Sequence, residues 1–170
     1  MLKTAHIALG SNLGSSERIL GYAAGAIASL SVDRVRFSSL WRTEPEGFTD
    51  TVPAFLNAVM AIHTRLGPEE LLCALQEIER DQGRSQSAGT GYQSRTLDLD
   101  LIDYDGRVLE SANLVLPHPR ACERQFVLIP LQEVTAGYRF PHLSEYSLQE
   151  LIDRAPDNRM VRLSQLAPLA

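Results

Sequence analysis

The chain has 170 residues and a mass of 18.8 kDa, enough for one domain of ordinary size and too few for two catalytic domains. Sixteen Lys+Arg against twenty-one Asp+Glu leave a net charge of −5, which argues against a protein that works by holding a nucleic-acid backbone. Lys3 is the single lysine, so P-loop, Schiff-base and strand-lysine chemistries are excluded. Any anionic ligand falls to arginine, whose planar fork matches phosphate oxygens. Cys73 and Cys122 stand far apart with no CxxC between them, so neither a disulfide framework, a structural zinc site nor a redox role is expected. A reducing cytoplasm is the expected location. The N-terminus lacks a secretory apolar core, and no apolar run approaches the roughly eighteen residues of a membrane span.

Ala5, Ile7 and Leu9 alternate with His6 and Ala8 as a first strand, which ends at the turn-forming Gly10-Ser11-Asn12-Leu13-Gly14. Ile19, Ala23, Ala26, Ile27 and Leu30 recur at helical spacing, so Ser15 to Leu30 reads as a first helix. Val32 to Thr43 and Phe55 to Leu66 read as two strands, joined by a long loop, Glu44 to Pro53, that carries Pro45, Gly47 and Pro53. Pro68-Glu69-Glu70 opens a second helix with proline in the first turn and acids against the dipole; Leu71, Leu72, Leu75 and Ile78 form its buried stripe. Gly83 to Ser94 is rich in glycine, serine and glutamine and has too little apolar surface to pack, so a mobile surface loop is expected there. Thr96 to Tyr104 returns to alternation, and Asp105-Gly106 turns the chain so that Arg107 to Glu110 can pair back as a hairpin. Helices are expected over Phe126 to Val134 and Tyr146 to Ile152.

Strand, helix, strand, strand, helix, strand is the βαββαβ order of a ferredoxin-like α+β sandwich. The expected architecture is an antiparallel sheet with helices on one face, the other face free for ligands, and a C-terminal helical extension, all within one domain spanning 1–170.

The sharpest local feature is Arg95-Thr96-Leu97-Asp98-Leu99-Asp100-Leu101. Strand side chains alternate, so Leu97, Leu99 and Leu101 turn to the core while Asp98 and Asp100 share the other face, about 6.6 Å apart along the backbone. Aspartate is disfavoured in strands, and two on one face repel unless a cation intervenes. At that spacing they can bridge two hard cations about 3.5–4 Å apart, the geometry of two-metal phosphoryl chemistry. Arg84 and Arg95 bracket the loop before them, and Arg120 and Arg124 follow the Pro117-His118 break. Cations beside metal-holding carboxylates suggest a polyphosphate. His118 can serve as acid, base or phosphate donor near neutral pH. Phe55 and Phe126, if they face one cleft, would sandwich a flat heterocycle whose edge the Asn57 amide would read.

Taken in order, the residues Ala8-Leu9-Gly10-Ser11-Asn12-Leu13-Gly14, Trp41-Arg42-Thr43, Phe55-Leu56-Asn57-Ala58, Glu77-Ile78-Glu79 with Gly83-Arg84, Arg95 to Asp100, Pro117-His118, and Arg124 to Leu128 with Pro130-Leu131 resemble the 6-hydroxymethyl-7,8-dihydropterin pyrophosphokinase family. The resemblance covers about residues 5 to 135. It implies transfer of pyrophosphate from ATP to the pterin hydroxymethyl group with release of AMP, in folate synthesis. By this resemblance Asp98 and Asp100 would hold two magnesium ions, and Arg84 and Arg95 would join them as catalytic residues. Phe55 and Phe126 would stack on the pterin, with Thr43, Pro45, Asn57 and Arg124 completing its site. Gln76, Glu79, Arg84, Arg95, Leu101 and His118 would contact ATP. The expected partners are these small molecules, with neither nucleic acid nor membrane, and a monomer is expected. The chain departs from the family pattern at Gln86, Gly91 and Tyr92, at Asn113 and Val115, and at Pro119. Those departures keep open a binding-only protein or a paralogue acting on a related pterin.

Overall fold

The computed structural model describes residues 1–45, 51–83 and 95–169. Most of the loop expected over 83–94, and residues 46–50 of the one expected over 44–53, lie outside the described residues. The strands are β1 (Lys3–Ser11), β2 (Arg36–Phe37), β3 (Ser39–Thr43), β4 (Phe55–Thr64), β5 (Asp98–Tyr104), β6 (Leu109–Glu110), β7 (Val115–Leu116) and β8 (Val161–Gln165). The helices are α1 (Ser16–Ser29), α2 (Pro68–Asp81), α3 (Gln125–Val134) and α4 (Leu148–Arg154). One antiparallel sheet runs in the order β5-β1-β4-β3-β8, with β2 also on β4, and β6 pairs with β7 separately. This is the ferredoxin-like α+β arrangement, extended by one edge strand.

Alternation along β1 sends Ile7 and Leu9 to a core shared with Leu20, Ala23, Ala24 and Ile27 of α1 and Leu71 and Leu75 of α2. Leu97, Leu99 and Leu101 join that core as expected. The opposite face is not left open along its length. Val59, Ala61 and Ile102 pack there against Val127, Leu128 and Leu131 of α3 and Leu151 and Ile152 of α4. The reason is that β4 is buried on both faces over Asn57–Ile62, and such apolar surface cannot be left in water. Glu133 anchors α3 across the sheet: Oε2 accepts the Ser39 N–H at 2.8 Å and Oε1 accepts the Trp41 indole N–H at 2.7 Å. Part of this face stays accessible, where the Asp98 and Asp100 side chains are 29% and 39% exposed.

Four local readings change. The strand expected over Val32 to Thr43 is broken at Ser38, whose hydroxyl donates to Ser39 O and accepts the Val59 N–H, both at 2.8 Å, so the strand bulges. Asp105 and Gly106 make the expected turn with φ of 55° and 67°, yet the residues after it pair with β7 rather than back onto β5. Strand β5 starts at Asp98 rather than Thr96. β8 carries no recognisable alternation because all five of its residues are exposed. Among the described residues, no helix is long and apolar enough to cross a membrane.

Candidate active site

The register lines up Asp98, Gly10, Asn57 and Trp41 as one row across β5, β1, β4 and β3, and Asp100, Ala8 and Val59 as the next. Directly paired residues share a face, so Asp98 and Asp100 stand on the face that α3 leaves accessible, two strand spacings, about 9–10 Å, from Asn57. Gly10 is what permits the row: a Cβ there would come 3.0 Å from Asn57 Oδ1, so a larger residue would push the amide aside. Asn57 is 7% exposed, and its Nδ2 donates to Thr43 Oγ1 at 2.8 Å, which orients the amide before any ligand arrives. Phe55 begins β4 opposite Thr43, half-buried. Pro45 follows half-buried, beyond a Glu44 N–H to Asn158 O bond of 3.2 Å.

Charge gathers at the β5 end of the row. Arg95 Nη1 donates to Asp98 Oδ1 at 2.6 Å, and His118 Nε2 lies 4.0 Å from Asp100 Oδ1. His118 is brought there by its own backbone, whose N–H donates to Ile102 O at 2.8 Å along the outer edge of β5. Burial, and next the negative charge of Asp98, raise the Asp100 carboxyl above its ordinary value, against the pull of His118, Arg124 and Arg95. Burial likewise lowers His118, opposed by Asp100 and reinforced by Arg124. Arg124 flanks α3 on its N-terminal side, its guanidinium 5.4 Å from the Phe126 ring centroid. Its Nε is buried with no hydrogen-bond partner among the described residues.

The fold therefore brings together Arg95, Asp98, Asp100, His118 and Arg124, with Phe126 beside them and Phe55, Asn57 and Thr43 across the same face. Three other candidates lie on α2 and along β5. Gln76 is exposed on α2. Leu101 is 3% exposed within the inner core, which leaves only its main chain for a ligand. Glu79 is 4% exposed, and its Oε1 accepts the Leu99 N–H at 2.7 Å, between the two aspartates, so it holds the strand edge there. Arg84 lies outside the described residues. Two residues quoted only as part of a turn, Gly10 and Asn12, belong to the frame of the site. The sole sequence signal for them is a glycine just past the alternating apolar stretch and an asparagine at the strand end.

Among the described residues no three His, Cys, Asp or Glu side chains form a metal cage. Two partly exposed carboxylates on one face suit a hard cation such as magnesium, which completes its shell with water and substrate phosphates. The repulsion that raises Asp100 is what such a cation would relieve.

Comparison with known proteins places the chain in a family. Residues 6–136 match the family model described as 7,8-dihydro-6-hydroxymethylpterin-pyrophosphokinase (HPPK). The chain is similar to a 2-amino-4-hydroxy-6-hydroxymethyldihydropteridine pyrophosphokinase of Haemophilus influenzae, 38% identical over 162 residues that cover 95% of this chain and 98% of that protein. An enzyme of the same name from Bacillus subtilis is 41% identical over 79% of each chain. The crystal structure of Plasmodium falciparum HPPK-DHPS shares the fold, with a TM-score of 0.70 and 12% identity over 91% of this chain and 44% of that one. Since the matched stretch holds the whole row of site residues from Gly10 to Phe126, the chain belongs to the 7,8-dihydro-6-hydroxymethylpterin-pyrophosphokinase family.

Proposed function

We propose that the protein is the diphosphotransferase of folate synthesis that joins the β- and γ-phosphoryl groups of ATP to the hydroxymethyl oxygen of 6-hydroxymethyl-7,8-dihydropterin and releases AMP. The observation that carries the reading is the pairing of Asp98 and Asp100 with Arg95, His118 and Arg124 on one sheet face, opposite Phe55, Asn57 and Thr43. Magnesium, as two ions, would be held by Asp98 and Asp100 and when bound would neutralise the phosphate oxygens.

The rest of the work belongs to the chain. Asn57 and Thr43 read the edge of the pterin and Phe55 and Phe126 flank its ring, so the alcohol is presented rather than left to diffuse. Arg124 and Arg95 meet the charge that develops as the bond from the β-phosphorus to the AMP oxygen breaks. His118, kept neutral by its burial, donates to a phosphate oxygen without adding a second positive charge beside Arg124. Arg84, two residues past the C-terminal turn of α2, is assigned to the same phosphates. Activity as a monomer belongs to the same proposal, and free Cys73 and Cys122 suit a reducing cytoplasm.

The test is AMP release from ATP and magnesium, with and without the pterin, beside an Asp98→Ala control. Pterin-dependent AMP that disappears in the control is expected. Binding of both substrates without AMP would overturn the reaction and leave a binding protein.

A further inference from the structure

Asn12 directly follows β1 and meets the charged cluster through the Arg95 backbone; it is 4% exposed and its side chain is bonded at both ends. Oδ1 accepts the Arg95 N–H at 2.8 Å, and Nδ2 donates to Pro53 O at 3.2 Å. Its own N–H and that of Leu13 both donate to Arg95 O, at 3.1 and 3.3 Å. Arg95 is the residue that grips Asp98, three positions on, and Pro53 lies two positions before Phe55 at the start of β4. One amide therefore ties the approach to the phosphate side of the cleft to the approach to the ring-stacking side.

The chemistry of the two partners dictates the residue. A backbone N–H needs an acceptor and a backbone carbonyl needs a donor, and a short side chain that offers both from one planar group is asparagine. Aspartate has no donor at neutral pH, and alanine has neither group. A 1 Å misplacement between reacting groups can reduce turnover about 100-fold while each substrate still binds its own half-site.

We infer that Asn12 is a positioning residue for the diphosphoryl transfer, setting the alignment of the pterin side of the cleft with the Arg95–Asp98 side. The kinetic part of this inference rests on the diphosphotransferase reading. It separates from an ordinary turn-closing role because it predicts a loss in kcat with little change in either KM.

The experiment compares wild type with Asn12→Ala, Asn12→Asp and, as a stability control, Ser147→Ala. Ser147 caps α4 by accepting the Glu150 N–H, remote from the site residues in sequence, so its loss lowers stability through a helix end. Expected for Asn12→Ala is a kcat about 100-fold lower with the KM for ATP and for pterin each within about threefold of wild type. Asn12→Asp keeps the acceptor for Arg95 and loses the donor for Pro53. It is expected to preserve slow hydrogen exchange at the Arg95 amide, which Asn12→Ala loses, and still to lower kcat at least about tenfold. Ser147→Ala is expected to lower Tm and leave kcat unchanged. Full kcat in Asn12→Asp, a rise in KM that accounts for the loss, or an equal fall in kcat in Ser147→Ala would each overturn the inference. If wild type itself makes no AMP, the reaction fails and the kinetic role falls with it, while the Arg95 exchange reports the bond independently.

Discussion

At the scale of single residues, the site is held in an arrangement that the protein without its ligands resists. Asp100 is raised by burial and by Asp98, so its ionised form destabilises the fold above its raised pKa, and that penalty fades as pH falls toward 3.8. His118 is lowered, so the fold resists its protonation and stability declines as pH drops below 6.5. In a chelator, Asp100→Asn is therefore expected to raise Tm at pH 7 by about 2 °C, a small gain because the group is partly screened by solvent. The same variant should form AMP at least about 1,000-fold more slowly, since several kcal/mol of charge neutralisation is lost. Melting curves at pH 5 to 8 check the second sign: His118→Gln should flatten the decline below pH 6.5. On the ring side, Phe126→Ala is expected to raise the KM for pterin about 10- to 100-fold and leave that for ATP nearly unchanged, since roughly 1.5–3 kcal/mol of stacking and burial disappears.

Among the elements, β5 carries the aspartates and is an edge strand of the main sheet. An edge exposes backbone groups, and here two of them are taken up from outside the sheet, Leu99 N–H by Glu79 of α2 and Ile102 O by the His118 N–H. Glu79 thus fixes the backbone between Asp98 and Asp100. Glu79→Ala leaves the Leu99 N–H without this acceptor and is expected to remove about 1–3 kcal/mol of stability, a fall in Tm of roughly 3–10 °C, measurable by thermal melting. If its work is to hold the strand, the variant should lower kcat while the KM for ATP stays within about threefold. A large rise in that KM alone would return Glu79 to the nucleotide. On the other face, α3 brings Arg124 and Phe126 to the cleft because Val127, Leu128 and Leu131 seat it against Val59, Ala61 and Ile102 and because Glu133 grips β3.

For the whole molecule, one face of the sheet builds the main core, and the other is shared between a second core and the cleft. Ligands that bind only the folded state should stabilise it by mass action. Magnesium with a non-hydrolysable ATP analogue at about 100 times its Kd is expected to add about 2.7 kcal/mol and raise Tm by roughly 5–10 °C. The rise should vanish on addition of a chelator and in Asp98→Ala, which a thermal-shift titration reads directly.

Local periodicity made much of this legible. The alternation of Arg95 to Leu101 alone sends the leucines inward and the aspartates outward, and the stripe of Leu71, Leu75 and Ile78 behind Pro68 is enough for α2. Together with the order of the elements that was sufficient for the architecture, while the family came from the resemblance of the whole ordered set of motifs. Spacing within an element reports which face a side chain takes, and it carries nothing about what another element lays on that face. So it required the tertiary structure to show that α3 and α4 cover part of the supposedly open face, and that exposed Val161–Gln165 adds an edge strand. The same holds for the roles of Glu79 and Asn12. Glu79 is drawn to a strand 20 residues away, and Asn12 joins Arg95 and Pro53 across 83 and 41 residues. Those bonds exist because buried backbone groups at strand ends must find partners, and only the assembled sheet decides which side chain is near enough to supply them.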